Sequence, residues 1–198
     1  MLLYDNPVSG NCYKVRLLLA HLGIDYERHE VDVLDRSGRA ERLGSVNPAL
    51  SIPAAVLDDG SPLAESNAIL WYFAEGTPYL PQDRLGRARV LQWLSFEQYS
   101  HQPYIAIARY WLSIADKPVA KEKIDARKPA GYAALSAMER HLDGAAFLVD
   151  ERYTIADIGL YAYTHVAHEG DFDLSGYPAI GAWLARVEAQ PGHIPITA

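Results

Sequence analysis

Apolar positions alternate between two periods up to the segment Gly76–Arg84, and beyond it they keep the helical period alone. Leu2-Leu3-Tyr4 predicts a short strand, followed by a loop with Pro7 and Gly10 and then by Val15, Leu18, Leu19 and Leu22 at helical spacing. Gly23 stands where a left-handed residue would close that helix. A second strand is expected within Tyr26–Val33, a short helix within Arg39–Val46, and a hairpin from Pro53–Leu57 through the turn Asp58-Asp59-Gly60. The apolar run Ala68, Ile69, Tyr72, Phe73 then predicts another helix, giving the order β-α-β-α-β-β-α.

The segment Gly76–Arg84, with Pro78, Pro81 and Gln82-Asp83, has the composition of a linker. A long helical pattern from Leu85 to about Ile114 contains Pro103, which removes an N–H and is expected to kink or interrupt it. Another covers Val119–Leu142, with Pro129 inside it. Thr154-Ile155-Ala156-Asp157 has the form of a capping box, and Ile180, Trp183, Leu184 and Val187 form a core-facing stripe opened by Pro178 and stopped by Pro191-Gly192. The expected organisation is an α/β domain over residues 1–76, a linker over 77–84 and an all-helical domain over 85–198.

A composition of 49% hydrophobic and 22% charged residues allows a substantial core. A formal net charge of -7 argues against a nucleic-acid partner, which would need excess Lys and Arg against the phosphates. Lys117–Lys128 interleaves its cations with Asp116, Glu122 and Asp125 and reads as a solvated face. The single cysteine, Cys12, permits neither an intramolecular disulfide nor a cysteine-rich zinc site, and no metal is expected. With no apolar run long enough to span a bilayer and no signal-like start, the expectation is a cytoplasmic protein without a membrane partner.

Four local motifs carry chemistry: Ser9-Gly-Asn-Cys-Tyr-Lys-Val15 after the first strand, Asn47-Pro-Ala-Leu-Ser-Ile-Pro53 before the third, Glu65-Ser-Asn-Ala-Ile69 opening the third helix, and Thr154-Ile-Ala-Asp157. In this order and spacing, and with the terminal Tyr177-Pro-Ala-Ile-Gly-Ala-Trp183, they resemble the glutathione S-transferases over essentially the whole chain. That resemblance implies a thioredoxin-like first domain, an all-α second domain, a homodimer built on the third and fourth helices, and glutathione as co-substrate. The Ser9 motif is similar both to theta-like and delta-like enzymes, which carry Ser at this place, and to nu-like bacterial enzymes with Thr-Pro-Asn-Gly.

The implied task is to hold glutathione's thiol as a thiolate near neutral pH. A free thiol titrates near 8.5, and each unit of depression needs about 1.36 kcal/mol. A charge-assisted hydrogen bond of about 1.5–3 kcal/mol and a helix dipole of about 0.3–1 kcal/mol together suffice for two units. Ser9, just ahead of the first helix, is the first candidate for the thiolate partner, with Asn11 the second. Cys12 occupies the resolving position of a C-x-x-C pair whose nucleophilic position is Ser9, and reads as a small core residue.

The resemblance implies a cis Ile52–Pro53 bond that offers the Ile52 main chain to the cysteinyl part of glutathione. It also implies Ser66 at a helix N-cap for the γ-glutamyl carboxylate, and Glu65 for the γ-glutamyl ammonium. Arg39, then Arg42, are the candidates for the glycine carboxylate, an end where Leu50 departs from the His of the delta-like pattern. The electrophile is expected between the Pro7-Val8 loop and the helix around Pro103, with Val8, Tyr104, Arg109 and Trp111 as lining candidates. The implied activity is conjugation of glutathione to a hydrophobic electrophile, as in detoxification. Glutathione-dependent reduction of a disulfide or peroxide, or a non-catalytic glutathione-binding scaffold, are the alternatives.

Overall fold

The computed structural model describes residues 1–198, and its internal contacts divide them into two compact units. One comprises Met1–Thr77 together with Pro191–Ala198, the other Pro78–Gln190. The final eight residues, which the sequence pattern assigns to the helical domain, thus pack with the first unit.

In the first unit, strands β1 (Leu2–Asp5), β2 (Glu27–Glu30), β3 (Ala54–Val56) and β4 (Pro62–Ala64) form one sheet in the order β2-β1-β3-β4. β1 runs parallel to β2 and antiparallel to β3, with Leu3 opposite Arg28 on one side and Ala55 on the other. β3 and β4 make the hairpin expected from Asp58-Asp59-Gly60. Helices α1 (Gly10–Leu22), α2 (Arg39–Leu43) and α3 (Ser66–Ala74) complete the unit. Leu3, Val15, Leu19, Ala55 and Ile69 are its buried core, flanked by Met1, Ile24, Tyr26, Leu63 and Phe73. Period-2 positions of β1 and period-3.6 positions of α1 and α3 thereby meet on one side of the sheet. Gly23 closes α1 at φ 63°, where the absence of a Cβ removes the left-handed penalty.

The second unit holds helices α4 (Arg84–Phe96), α5 (Gln102–Arg109), α6 (Lys121–Asp125), α7 (Lys128–Leu142), α8 (Ile155–Thr164) and α9 (Pro178–Glu188). The long pattern from Leu85 to Ile114 is interrupted as Pro103 requires. π-helical turns occupy Glu97–His101 and Tyr110–Ile114, and Pro103 falls in the first turn of α5, where its missing N–H removes no intrahelical bond. Pro129 likewise opens α7 rather than breaking it, so the expected Val119–Leu142 helix is two helices.

Asp157 ties the second unit together. Its carboxylate accepts from the Thr154 N–H at 2.9 Å, closing the capping box of α8, and also from the Leu148 N–H and the Trp183 indole, each at 2.9 Å. Glu139 on α7 caps α9 by accepting from the Ala179 and Ile180 N–H groups, both at 2.9 Å. No helix is long and apolar enough to cross a membrane.

Candidate functional site

Ser9 is the N-cap of α1: its φ, ψ of -77°, 117° are extended, and its Oγ accepts from the Cys12 N–H at 3.3 Å. Because that oxygen acts as acceptor toward the helix, the hydroxyl proton remains for an acceptor outside it. The loop before Ser9 is held by Asn6, whose Oδ1 accepts from the Val8 N–H at 3.1 Å and whose Nδ2 donates to Val31 O at 3.0 Å. Asn6 O also accepts the Ser9 N–H at 3.1 Å.

Asn11, half-buried in the first turn of α1, meets the start of α3. Ser66 Oγ donates to Asn11 Oδ1 at 3.4 Å, and Lys14 Nζ donates to Ser66 Oγ at 3.5 Å. Two helix N-termini, each a source of unsatisfied N–H groups and positive potential, therefore open onto neighbouring residues of one unit. Ser66 is 4% exposed and Lys14 is fully buried. The N-cap of α3 is Glu65 rather than Ser66, which is the first helical residue; Glu65 has φ 69°, ψ 116° and makes no side-chain cap bond. A non-glycine residue in such a conformation is uncommon, and here it leaves the Glu65 side chain exposed beside the helix start.

Ile52–Pro53 is the one cis peptide in the chain. The loop that delivers it is organised by buried Asn47, whose Oδ1 accepts from the Ala49 N–H at 2.9 Å and whose Nδ2 donates to Ser51 O at 2.8 Å. Arg39 belongs to this scaffold as well. It is 6% exposed and donates to Leu50 O at 3.3 Å and to Asp32 O at 2.5 Å. This guanidinium, bonded to two main-chain carbonyls, also staples the loop. Arg42 is exposed and lines a polar cavity of about 480 Å³ with Tyr4, Arg28, His29 and Glu41, a different place from Ser9 and Ser66.

The remaining candidates belong to both units. Val8 is half-buried next to Ser9, and Tyr104 is half-buried on α5. Trp111 lies in the second π-turn with the Arg127 guanidinium 4.7 Å from its ring centroid. Arg109 is 5% exposed and its Nε donates to Glu169 at 2.8 Å, so it anchors α5 to the turn Ala167–Gly170 instead of offering a free cation.

Cys12 is fully buried, and burial, reinforced by the charge of Asp5, pushes its thiol up to about 12. It remains protonated and inaccessible, in keeping with a core role.

Sequence reasoning did not find Asp5, Asn6, Lys14, Arg16 or Asn47 as parts of this scaffold. Helix α1 is buried continuously from Cys12 to Leu19, so Lys14 and Arg16, which stand among its apolar residues, must find partners inside.

Residues 8–75 match the family model described as glutathione S-transferase, N-terminal domain, and residues 95–191 match that of glutathione S-transferase, C-terminal domain. The chain is 32% identical to the disulfide-bond oxidoreductase YfcG of Escherichia coli (strain K12), across 96% of this chain and 90% of that one. It is 29% identical to glutathione S-transferase theta-1 of Mus musculus, across 96% of this chain and 83% of that one. The crystal structure of a glutathione S-transferase from Pseudomonas fluorescens Pf-5 superposes with a TM-score of 0.94 at 46% identity, covering 100% of this chain and 98% of the other.

Proposed function

Since the chain belongs to the glutathione S-transferase family and is a glutathione S-transferase-like enzyme, we propose that it binds glutathione in the first unit and activates its thiol as a thiolate at the N-terminus of α1. The observation that carries this reading is the 3.4 Å bond joining Asn11, two residues beyond Ser9, to Ser66 at the start of α3. It gathers a hydroxyl, an amide and two helix N-termini at one end of the unit. The chain's only thiol is locked in the core, so any sulfur nucleophile has to arrive with the ligand.

In this reading the γ-glutamyl carboxylate lies against Ser66 and the N–H groups of α3, and the γ-glutamyl ammonium against exposed Glu65. The Ile52 main chain pairs with the cysteinyl unit as an added strand. Arg39, with Arg42 next, remains the candidate for the glycine carboxylate, although two of its donors are already engaged by the Leu50 and Asp32 carbonyls. The Ser9 hydroxyl donates to the thiolate, with Asn11 the second donor. The bound thiolate then attacks an electrophilic carbon, forming a C–S bond while either a leaving group departs with its bonding pair or, in an addition, the resulting anion takes up a proton; holding the partners together supplies much of the rate.

A second reading is supported by the likeness to an oxidoreductase: the same thiolate attacks a disulfide sulfur, the old S–S bond breaks with its other sulfur leaving as a thiolate, and a second glutathione resolves the mixed disulfide. We further propose a homodimer, supported by the exposure of Tyr72 on α3 and of Leu85 and Leu91 on α4, at 53%, 59% and 56%. A reducing cytoplasmic location is supported by the single buried cysteine. Steady-state assays with glutathione and, in turn, a chloronitrobenzene, an organic peroxide and a mixed disulfide separate the chemistries. Turnover of the first supports conjugation and turnover of the last supports reduction, while glutathione binding without turnover of any refutes both.

A further inference from the structure

The segment Pro191–Ala198 is held against the first unit through its main-chain carbonyls. His21 Nδ1 lies 2.9 Å from Pro191 O, the Tyr13 hydroxyl donates to Ile194 O at 2.7 Å, Arg16 Nη2 donates to Ile196 O at 2.5 Å, and Arg28 Nη1 donates to Ala198 O at 3.2 Å. Four of its carbonyls are held in this way, and one side chain joins them, the Tyr13 hydroxyl also lying 3.5 Å from His193 Nε2.

Arg16 joins this segment to the loop that carries Ser9. It is 1% exposed, and its Nη1 donates to Asp5 Oδ1 at 2.5 Å and to Asn6 O at 3.0 Å, while Nη2 donates to Pro7 O at 3.2 Å as well as to Ile196 O. Asn6 O is the same carbonyl that accepts the Ser9 N–H at 3.1 Å. One guanidinium therefore holds three consecutive residues ahead of Ser9 and a carbonyl 180 positions away in sequence. Its donors are fixed in a plane, so a shift that restores one lost acceptor disturbs the others. Asp5, itself fully buried, is shared as an ion-pair partner between Arg16 and Arg28, whose Nε lies 2.7 Å from its other oxygen.

We propose that Arg16 is a positioning residue for the Ser9 hydroxyl and that residues 191–198 are the strap that fixes its guanidinium. The inference rests on the reading of Ser9 as the thiolate partner. The strap holds Arg16 in plane, Arg16 holds the Asn6 and Pro7 carbonyls, and the Asn6 carbonyl sets the entry of the chain into α1.

The test compares the parent chain with a variant ending at Ile194, which loses the Ile196 and Ala198 carbonyls, and with Arg16→Lys and Arg16→Met. Amide hydrogen exchange over residues 8–13 is measured without ligand, and then glutathione affinity and the apparent pKa of the bound thiol. Shortening the strap is expected to speed exchange at the Ser9 amide and to raise the bound-thiol pKa by about one unit, an about tenfold loss of thiolate at lower pH, with affinity changed by less than about twofold. Arg16→Lys, a point charge without the planar fork, is expected to lie between the parent and Arg16→Met. Unchanged exchange at Ser9 in the shortened variant overturns the proposal. So does faster exchange with an unmoved thiol pKa, since that is what a purely structural strap gives. If the parent does not bind glutathione, the functional reading fails instead, and the exchange comparison alone decides whether the strap holds Ser9.

Discussion

Asp157→Ala is expected to destabilise the second unit in a way that depends on pH with a definite sign. The side chain is fully buried and accepts from the Leu148 N–H, the Thr154 N–H and the Trp183 indole at 2.9 Å each, and from the Thr154 hydroxyl at 3.2 Å. Alanine orphans three buried N–H donors at about 1–3 kcal/mol each, a loss of several kcal/mol. Burial raises the carboxyl from 3.8 to about 6, outweighing the hydrogen bonds that pull it down. In the unfolded chain the group loses its proton near 3.9, so between about pH 4 and about pH 6 the folded state binds more protons than the unfolded one. Stability from this group is therefore fully present below about pH 4 and declines as pH rises through about 6, by up to about 3 kcal/mol. The gap between parent and Asp157→Ala should be widest in acid and narrow across that window. Urea denaturation followed by far-ultraviolet circular dichroism, repeated from about pH 4 to about pH 7, reads both quantities. A gap that stays constant or widens as pH rises refutes the reasoning.

Glu65→Ala and Ser66→Ala should each weaken glutathione binding at least about tenfold by calorimetry, since each leaves a charged end of the γ-glutamyl group unpartnered; unchanged affinity in both sinks the assignment. Cys12 should resist alkylation in the folded protein at about pH 8 and react once denatured, and Cys12→Ala should leave any pH–rate profile where it was; a shifted profile would give this thiol a chemical role. Sedimentation at micromolar concentration should find a dimer, and Tyr72→Glu with Leu91→Glu should yield monomer; a parent that is already monomeric contradicts the pairing.

The element order was legible in the sequence because period changes and punctuation agreed: Gly23, Pro103, Pro129 and the Thr154–Asp157 box all end, interrupt or open helices where local chemistry requires. The motifs around Ser9, Ile52–Pro53 and Glu65–Ser66 were legible as motifs, and the structure brings Asn11 and Ser66 within 3.4 Å. What escaped were partnerships across distance. Nothing local in Arg39 announces a loop staple; that role comes from the carbonyls of Asp32 and Leu50 that folding brings to it. The ion pair of Arg109 escaped for the same reason, its partner Glu169 being 60 residues away. The return of Pro191–Ala198 to the first unit carries no periodic signal, because it is secured by side chains of α1 and β2 acting on its carbonyls. Glu65, with φ 69°, shows that the capping pattern located the start of α3 to within one residue while the backbone conformation there was set by the fold.

The central claim, thiolate activation at the N-terminus of α1, is tested most directly by titrating the thiol of bound glutathione, followed by thiolate absorbance, in the parent, Ser9→Ala and Asn11→Ala. In the parent the bound thiol should titrate well below about 8.5. Ser9→Ala should raise it by about one to two units, the equivalent of losing one charge-assisted hydrogen bond, while glutathione still binds with nearly parental affinity and Asn11→Ala shifts it less. A bound thiol in the parent that titrates where free glutathione does would contradict the account.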